Sequence, residues 1–383
     1  MIALLLGVLL GKHIKKLMVF QLFLAFIAFF LMTPKLYSSI FQSVEWMQQP
    51  DDIENVVFKM TPNIYLIQPD GYANFSELKK GHYKIDNSEF ENYLSAKGFN
   101  LYNDYRSNYF STISSNSSLF SMQHHYYNYM DQKRVESYKS RSIIAGNNPV
   151  IDIFKKNNYS TSLLLENEYL IVSRPEMNYD YNNILYSDMP YLSDGFQIER
   201  DLIVDIKAAM QLNSNSKNFY FIEKLSPAHI AQSRYDNLGK EGERLEYIEN
   251  LKLANEWLKM MIETIEKQDG NGLIIIMGDH GGFVGMDSIY EAKIKQDDDE
   301  LIKSVFTTAL AVKWPNGQEP KGLEFKSSVN FFRNLFSYLS DEASYLEHLQ
   351  EDASYLAIKK GAPLGVYKAI DKDNNVIFES ITD

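Results

Sequence analysis

Apolar positions along the chain fall into two kinds of pattern. Leu17 to Met32 is an almost unbroken apolar run, interrupted only by Gln21 and bounded by Pro34 and Lys35. It is slightly short for the roughly 20 residues of a membrane span, and long enough if the helix begins near Ile14. From residue 60 onward, short β-rich apolar runs alternate with helical stretches, the pattern of a mostly parallel sheet covered by helices. The runs Asn63–Ile67, Ser162–Leu165, Asn218–Ile222, Leu273–Met277 and Val305–Val312 are the expected strands. Leu273–Met277 reads Leu-Ile-Ile-Ile-Met, apolar on both faces as a central parallel strand is. Over 245–267, Leu245, Ile248, Leu251, Leu258, Met261, Ile262 and Ile265 predict a helix whose stripe packs on the sheet. No internal repeat is visible. The expected fold class is therefore α/β, a mostly parallel central sheet flanked by helices and preceded by an N-terminal transmembrane helix. The segments are an anchor over 1–40, a linker over 41–60 and one folded domain over 61–383.

Charge orients the anchor. Lys12, His13, Lys15 and Lys16 precede the apolar run, and before them 2–10 is a second apolar stretch too short to cross alone. It reads as the remnant of spans further upstream. Basic residues stay cytoplasmic, so everything after residue 40 is expected outside the cytoplasm, periplasmic in a Gram-negative cell. No small-x-small cleavage site follows promptly, which favours a retained anchor over a cleaved signal peptide.

Composition narrows the function classes. With 45% hydrophobic and 23% charged residues in 383, the chain is that of a folded protein. A formal charge of −12 without a basic patch downstream of residue 40 excludes a nucleic-acid partner. The absence of cysteine excludes disulfides, thiolate ligands and cysteine nucleophiles. Tyr and Phe are abundant, 26 and 23, which suits a large core or a carbohydrate-facing surface. The acidic run Asp297–Glu300 reads as a solvated loop.

Two acidic turns follow expected strands directly: Gln68-Pro69-Asp70-Gly71 and Gly278-Asp279-His280-Gly281. In open parallel sheets ligands gather beyond the carboxyl ends of the strands, so both turns would share one rim. Asp-Gly alone is ordinary turn chemistry. Asp279 beside His280 at the end of a buried strand is a pair suited to Zn²⁺ or Mn²⁺; an Asp capping a helix next to a satisfied His is the plain alternative. Between the turns lies a hydroxyl-rich stretch, Ser107 to Ser121, whose aromatics and Leu119 suggest a helix start with Ser and Thr near its N-cap. Such a terminus offers N–H groups to a phosphate or sulfate.

In this order the elements resemble the alkaline-phosphatase/sulfatase superfamily, and in particular its membrane-anchored sulfatase-like proteins related to phosphoethanolamine and phosphoglycerol transferases. The matching segments are Pro62 to Ile67 leading to Asp70, Ser107-Asn108-Tyr109 leading to Thr112, Gly278 to Gly281, and the later Ser328 to Arg333. The resemblance covers roughly residues 60 to 340 and implies an alkaline-phosphatase-like catalytic domain. It also implies that Asp70, Asp279 and His280 are metal ligands and that Thr112 is both nucleophile and metal-facing oxygen. The ion would be divalent, Zn²⁺ or Mn²⁺ first, with Mg²⁺ or Ca²⁺ as alternatives. Ser111, Ser114 and Ser115 are the neighbouring hydroxyls that could take the place of Thr112. His229, in Ser226-Pro227-Ala228-His229, resembles the family histidine that contacts the transferred group or a second metal.

Departures from the family pattern qualify this. Two-metal members carry an Asp four residues before such a His and a further His after the Asp-His pair; here Leu225 stands first, and only His348 follows His280. One metal is therefore expected. His124 and His125 do not supply the second: on a helix running on from Thr112 they would lie about 18 Å away, and beside Tyr126, Tyr127 and Tyr129 they read as packing. The formylglycine motif of sulfatases is absent too, with no Cys and no Pro or Arg in Thr112–Ser121. The resemblance thus points to transfer or hydrolysis of a phosphoester, phosphoethanolamine- or phosphoglycerol-like, on a membrane lipid or surface polysaccharide. A sulfuric ester hydrolase, or a catalytically degenerate glycan-binding or assembly protein, are the other readings. Glu166, Glu168 and Arg174 are candidates for the pocket lining.

Overall fold

The computed structural model describes residues 11, 13–40, 45–125, 139–191, 195–214, 216–233, 235 and 237–381. The 2–10 run, Lys12, Tyr126, Tyr127 and Tyr129 lie outside them. The chain forms two compact units, Met1–Glu45 and Trp46–Asp383. The described residues of the first include the helix Ile14–Ile40. It starts where the apolar run required, continues past Pro34, and its Ile14–Pro34 stretch is long and apolar enough to cross a membrane.

In the second unit the strands are β1 (Ile64–Pro69), β2 (Asn100–Leu101), β3 (Tyr159–Leu165), β4 (Tyr181–Asn182), β5 (Lys217–Lys224), β6 (Leu273–Met277) and β7 (Leu310–Lys313). They make one sheet in the order β2-β7-β6-β1-β5-β3-β4. β6, β1, β5, β3 and β4 run parallel, while β7 is antiparallel to both its neighbours. The alternation of a strand sends Tyr65, Ile67, Tyr220, Ile222, Ile274 and Ile276 into one core layer. Leu66, Phe219, Phe221, Ile275 and Met277 enter the other. Helices Leu202–Leu212 and Gly239–Gln268 cover the first face, and Thr112–Ser121, Pro149–Lys156 and Phe331–Ser340 the second.

Several expectations shift. Val305–Val312 is not one strand: Asp298 caps a helix Asp299–Phe306, and β7 starts only at Leu310. Leu301, Ile302, Val305 and Phe306 are buried at helical spacing. On the long helix the buried stripe is Tyr247, Leu251, Ala254, Asn255, Leu258, Met261, Ile262 and Ile265. Leu245 lies two residues out of that phase and is exposed. The segment expected as a linker contributes Ile53, Val56 and Phe58 to the second core layer. The sequence reading also lacked a second, antiparallel sheet, β10-β9-β8, formed by β8 (Ser354–Ile358), β9 (Gly365–Ile370) and β10 (Val376–Ser380).

That second sheet fixes the approach to the hydroxyl-rich helix. Tyr355 N donates to Asn108 O at 2.9 Å, Asn108 Nδ2 to Ala353 O at 2.8 Å and Ser354 Oγ to Ser107 O at 2.6 Å. Val329 N donates to Asn108 Oδ1 at 2.7 Å, so the Ser328–Arg333 motif holds the same strip. Arg333, 1% exposed, ends that motif in a bidentate pair with Asp51, at 2.6 and 3.1 Å. Removing Asp51 strands a buried guanidinium, so Asp51→Ala is expected to destabilise the folded unit by about 3–5 kcal/mol in denaturant titration. Asp51→Leu with Arg333→Met should recover most of the loss. A single variant as stable as wild type would show that the pair does not hold the N-terminal segment down.

Candidate metal centre

Strand β1 lies between β5 and β6, with Ile67 opposite Ile222 on one side and Ile276 on the other. Three residues beyond that register the chain reaches Asp70 just after β1 and Asp279 just after β6, so parallel pairing brings two carboxylates to one rim. Gly71 closes the turn. It adopts φ +67°, and a Cβ there would stand 2.5 Å from Ala228 O, so only glycine lets the 226–230 loop lie against it. Ala228 N donates to Asp70 O at 2.9 Å, which places His229 on the same rim. Tyr247 braces the turn from the long helix, its hydroxyl donating to Gly71 O at 2.9 Å and accepting from Ala73 N at 3.1 Å.

The four side chains expected at a metal converge. Asp70, Thr112, Asp279 and His280 are buried, with 8%, 6%, 2% and 2% exposed. His280 Nδ1 lies 2.8 Å from Gly281 O. A carbonyl only accepts, so Nδ1 carries a proton and Nε2 is turned to the rim. There Nε2 stands 3.4 Å from Asp70 Oδ1, 3.3 Å from Asp279 Oδ2 and 3.4 Å from Thr112 Oγ1. Thr112 Oγ1 is 3.5 Å from Asp70 Oδ1. Asp279 Oδ1 accepts from Gly71 N and His280 N, both at 3.0 Å, whereas its buried Oδ2 has no hydrogen-bond partner. Among the described residues, Asp70, Asp279 and His280 are the group whose ligand atoms lie within 4.8 Å of one another. Oxygen and imidazole donors facing one point, one of them orphaned, fit a divalent cation.

Electrostatics agree. Burial, and then the Asp279 carboxylate, push the Asp70 carboxyl up to about 7. Burial opposes the charge on His280, but Asp279 and Asp70 outweigh it and raise its pKa. Burial and the neighbouring His280 hold His229 below the usual histidine range. Its Nδ1 lies 2.6 Å from Ile230 O, and its ring centroid is 5.8 Å from that of His280.

Thr112 opens its helix, with Ser111 as N-cap. The other hydroxyls are engaged elsewhere: Ser111 Oγ donates to Ser114 Oγ, Ser115 Oγ to Tyr109 O and Ser117 Oγ to Ile113 O. The serine-rich composition thus serves close packing, and Thr112 is the hydroxyl that meets Asp70 and His280. The helix stops at Ser121, and Met122 turns the chain at φ 53°. His125 therefore folds back onto its first turns, stacked on Tyr109 at 4.1 Å with Nε2 2.9 Å from Ser114 O. The expected separation of about 18 Å assumed that the helix ran on; the packing role of His124 and His125 stands, with burial lowering both pKa values to about 4. His348 is exposed.

Glu166, Glu168 and Arg174, candidates for a pocket lining, each make structural contacts. Glu166 pairs with Lys224 and accepts from Leu225 N, Glu168 accepts from Gln197 N and Ile198 N, and Arg174 donates to Tyr186 O and Met189 O. Glu223 went unnoticed in the sequence, hidden among the polar residues that end β5. It is fully buried, neither carboxyl oxygen has a hydrogen-bond partner, and burial, followed by Asp70 and Asp279, raises its pKa well above the ordinary value.

No curated protein is matched by the sequence. The integral membrane lipooligosaccharide phosphoethanolamine transferase A of Neisseria meningitidis is similar with TM-score 0.54 and 12% identity, over 88% of this chain and 67% of that one. The BT33494S-sulf protein of Bacteroides thetaiotaomicron gives 0.52 and 11%, over 83% and 88%. The C-terminal periplasmic domain of EcEptC from Escherichia coli, in complex with Zn, gives 0.50 and 11%, over 74% and 83%. At such identities the likeness is one of fold. The Sulfatase family model, however, matches residues 62–341, well over half of the chain and the whole rim from Asp70 to His280, and the protein belongs to that family, within the alkaline-phosphatase/sulfatase superfamily.

Proposed function

We propose that this chain is a membrane-anchored enzyme that transfers a substituted phosphoryl group to a surface lipid or glycan, outside the cytoplasm, with Thr112 as nucleophile. The observation that carries the reading is the position of Thr112 Oγ1, at a helix N-terminus and within 3.5 Å of both Asp70 and His280 in a chain without cysteine. Sulfate ester hydrolysis through formylglycine would need a Cys or Ser followed by Pro or Ala and then Arg, and no Cys, Pro or Arg lies within Thr112–Ser121. Phosphoethanolamine transferases among the structural neighbours, one of them an integral membrane protein, support the same reading. So do the span Ile14–Pro34 and the lysines at its start, Lys12, Lys15 and Lys16.

Asp70, Thr112, Asp279 and His280 would hold one divalent cation, Zn²⁺ or Mn²⁺ by donor type, which when bound supplies positive charge to an ester oxygen and favours the alkoxide of Thr112. Thr112 attacks phosphorus, its Oγ1–P bond forms, the donor's ester bond breaks, and the proton from Thr112 neutralises the departing alcohol. The acceptor hydroxyl then displaces Thr112. Its proton is collected on Nε2 of His229, which is open because Nδ1 serves Ile230 O, and it finally restores the Thr112 hydroxyl. Free N–H groups at the start of the Thr112–Ser121 helix face the transferred anion.

A carboxyl with a raised folded pKa favours the fold while protonated, so the ion-free chain loses stability as pH climbs from the ordinary carboxylate range through about 7. Binding of Zn²⁺ reverses that loss and must displace protons from Asp70 and His280. Calorimetry in buffers of different ionisation enthalpy is expected to show between about one and two protons released per ion near about pH 6 and fewer near about pH 9. Uptake without pH dependence would contradict this ligand set. With donor present and acceptor withheld, the donor's phosphoryl group should appear on the peptide containing Thr112. Thr112→Ala should lose both adduct and turnover while keeping the fold. Undiminished turnover by that variant would leave attack by water as the better mechanism.

A further inference from the structure

Two glutamates away from the rim are short of donors. Glu77 lies on the short helix Phe75–Leu78 that follows the Asp70 turn and is 1% exposed, and neither of its carboxyl oxygens has a hydrogen-bond partner among the described residues. Glu300 stands in the first turn of the helix Asp299–Phe306, and its buried Oε2 has no such partner either. Gly81 brings the two together. It adopts φ +57°, and a Cβ there would stand 2.6 Å from Glu300 Oε2 and 3.1 Å from Glu77 Oε1, so both oxygens converge on one point beside the glycine. Buried carboxylates without donors are costly, and neighbouring ones also repel.

Nearby cationic side chains address only part of that charge. Lys80 approaches Glu77 Oε2 at 3.7 Å and Lys303 approaches Glu300 Oε1 at 3.8 Å, both longer than hydrogen bonds and both on the outer oxygen of the carboxylate. Each lysine is partly in solvent, where such a pair contributes little. His82 is engaged elsewhere, with Nε2 2.8 Å from Asp298 Oδ2. The inner oxygens, Glu77 Oε1 and Glu300 Oε2, are left without a donor. Burial, opposed by Lys80 and reinforced by Glu300, pushes the Glu77 carboxyl up to about 7.

Both helices continue from a ligand turn of the rim. Asn74, the cap of Phe75–Leu78, donates from N to Thr307 O at 3.3 Å and from Nδ2 to Thr308 O at 2.9 Å. Gly281, beside His280, donates from N to Val305 O at 2.8 Å, in the last turn of the Glu300 helix. An ion held by Glu77 and Glu300 therefore ties together the segments that lead away from Asp70 and that back His280.

We propose that Glu77 and Glu300 form a second cation site, separate from the rim, in which Glu77 Oε1 and Glu300 Oε2 hold a hard divalent cation, Ca²⁺ or Mg²⁺, with water completing its shell. The donors are oxygens alone, the set that these two ions take, whereas the imidazole of the rim suits Zn²⁺. The proposal does not depend on the reaction assigned to the rim.

The test is equilibrium dialysis of the full chain in detergent micelles, first loaded with one equivalent of Zn²⁺, against radioactive Ca²⁺ with and without Mg²⁺. Wild type should take up about one Ca²⁺ per chain, and Mg²⁺ should compete for it. Glu77→Gln and Glu300→Gln, which keep side-chain size and remove charge, should each weaken Ca²⁺ binding on the order of tenfold or more while leaving zinc content unchanged. In thermal unfolding Ca²⁺ should raise the midpoint of wild type and of neither variant. Without Ca²⁺, Glu77→Gln should melt no lower than wild type, since it loses no hydrogen bond and relieves repulsion, and this separates a lost site from a failed fold. Asp279→Ala, once shown to be folded, should lose zinc and keep Ca²⁺. Absence of Ca²⁺ and Mg²⁺ binding to zinc-loaded wild type, equal Ca²⁺ binding by wild type and both glutamine variants, or loss of Ca²⁺ from folded Asp279→Ala would each overturn the proposal.

Discussion

The mutual repulsion of Asp70 and Asp279 is the constraint around which this rim is arranged. Both carboxylates are buried, both face Nε2 of His280, and one oxygen of Asp279 has no hydrogen-bond partner. Such a cluster is stable only when that repulsion is relieved, by a proton on Asp70 or on the imidazole or by a cation. Its geometry does not come from the loops alone. Parallel pairing of β1 with β6 delivers the two acids at matched heights, and Gly71 allows the 226–230 loop to close over them. Tyr247 ties that turn to the long helix, while the C-terminal sheet holds Ser107–Tyr109 and so the start of the Thr112 helix.

Much of this was legible in the sequence because the relevant signals are local. Leu273–Met277 is apolar on both faces, and the turn after it carries Asp279 and His280, so strand and ligand pair were read together. The same holds for β1 and Asp70. Where side chains are set by partners far along the chain, the reading fell short. Leu245 satisfied a helical stripe by spacing, yet Tyr247 is the inward residue because the bond it makes is to Gly71. Val305 and Phe306 look like the start of a strand, and only the cap at Asp298 shows that they finish a helix. The return of His125 depends on the left-handed turn at Met122, a conformation that methionine does not announce. β8 to β10 were missed although Tyr355–Ile358 and Val376–Phe378 are short apolar runs, because their pairing partners are one another and the Ser107–Tyr109 strip.

Fold and chemistry divide the labour in a way that suits a family with many substrates. The sheet fixes the charged rim rigidly. The walls beyond His229 come from a loop and one helix face, which can vary without disturbing it. Leu225 stands where an acid would be needed and only His348 follows His280 in the sequence, so Asp70, Asp279 and His280 are the one such ligand group among the described residues. Glu223, buried and pushed toward its neutral form by burial and by Asp70 and Asp279, leaves the charge of the rim to the ligand carboxylates.

The central claim is that Asp70, Thr112, Asp279 and His280 form one cation site. It is tested most directly by anomalous diffraction at the zinc edge from crystals of the chain grown with Zn²⁺. The account predicts one strong peak about 2 Å from ligand atoms of all three charged or imidazole residues, with Thr112 Oγ1 beside it. A peak at His124 and His125 instead, or a fully occupied zinc elsewhere with none between Asp70 and Asp279, would contradict it.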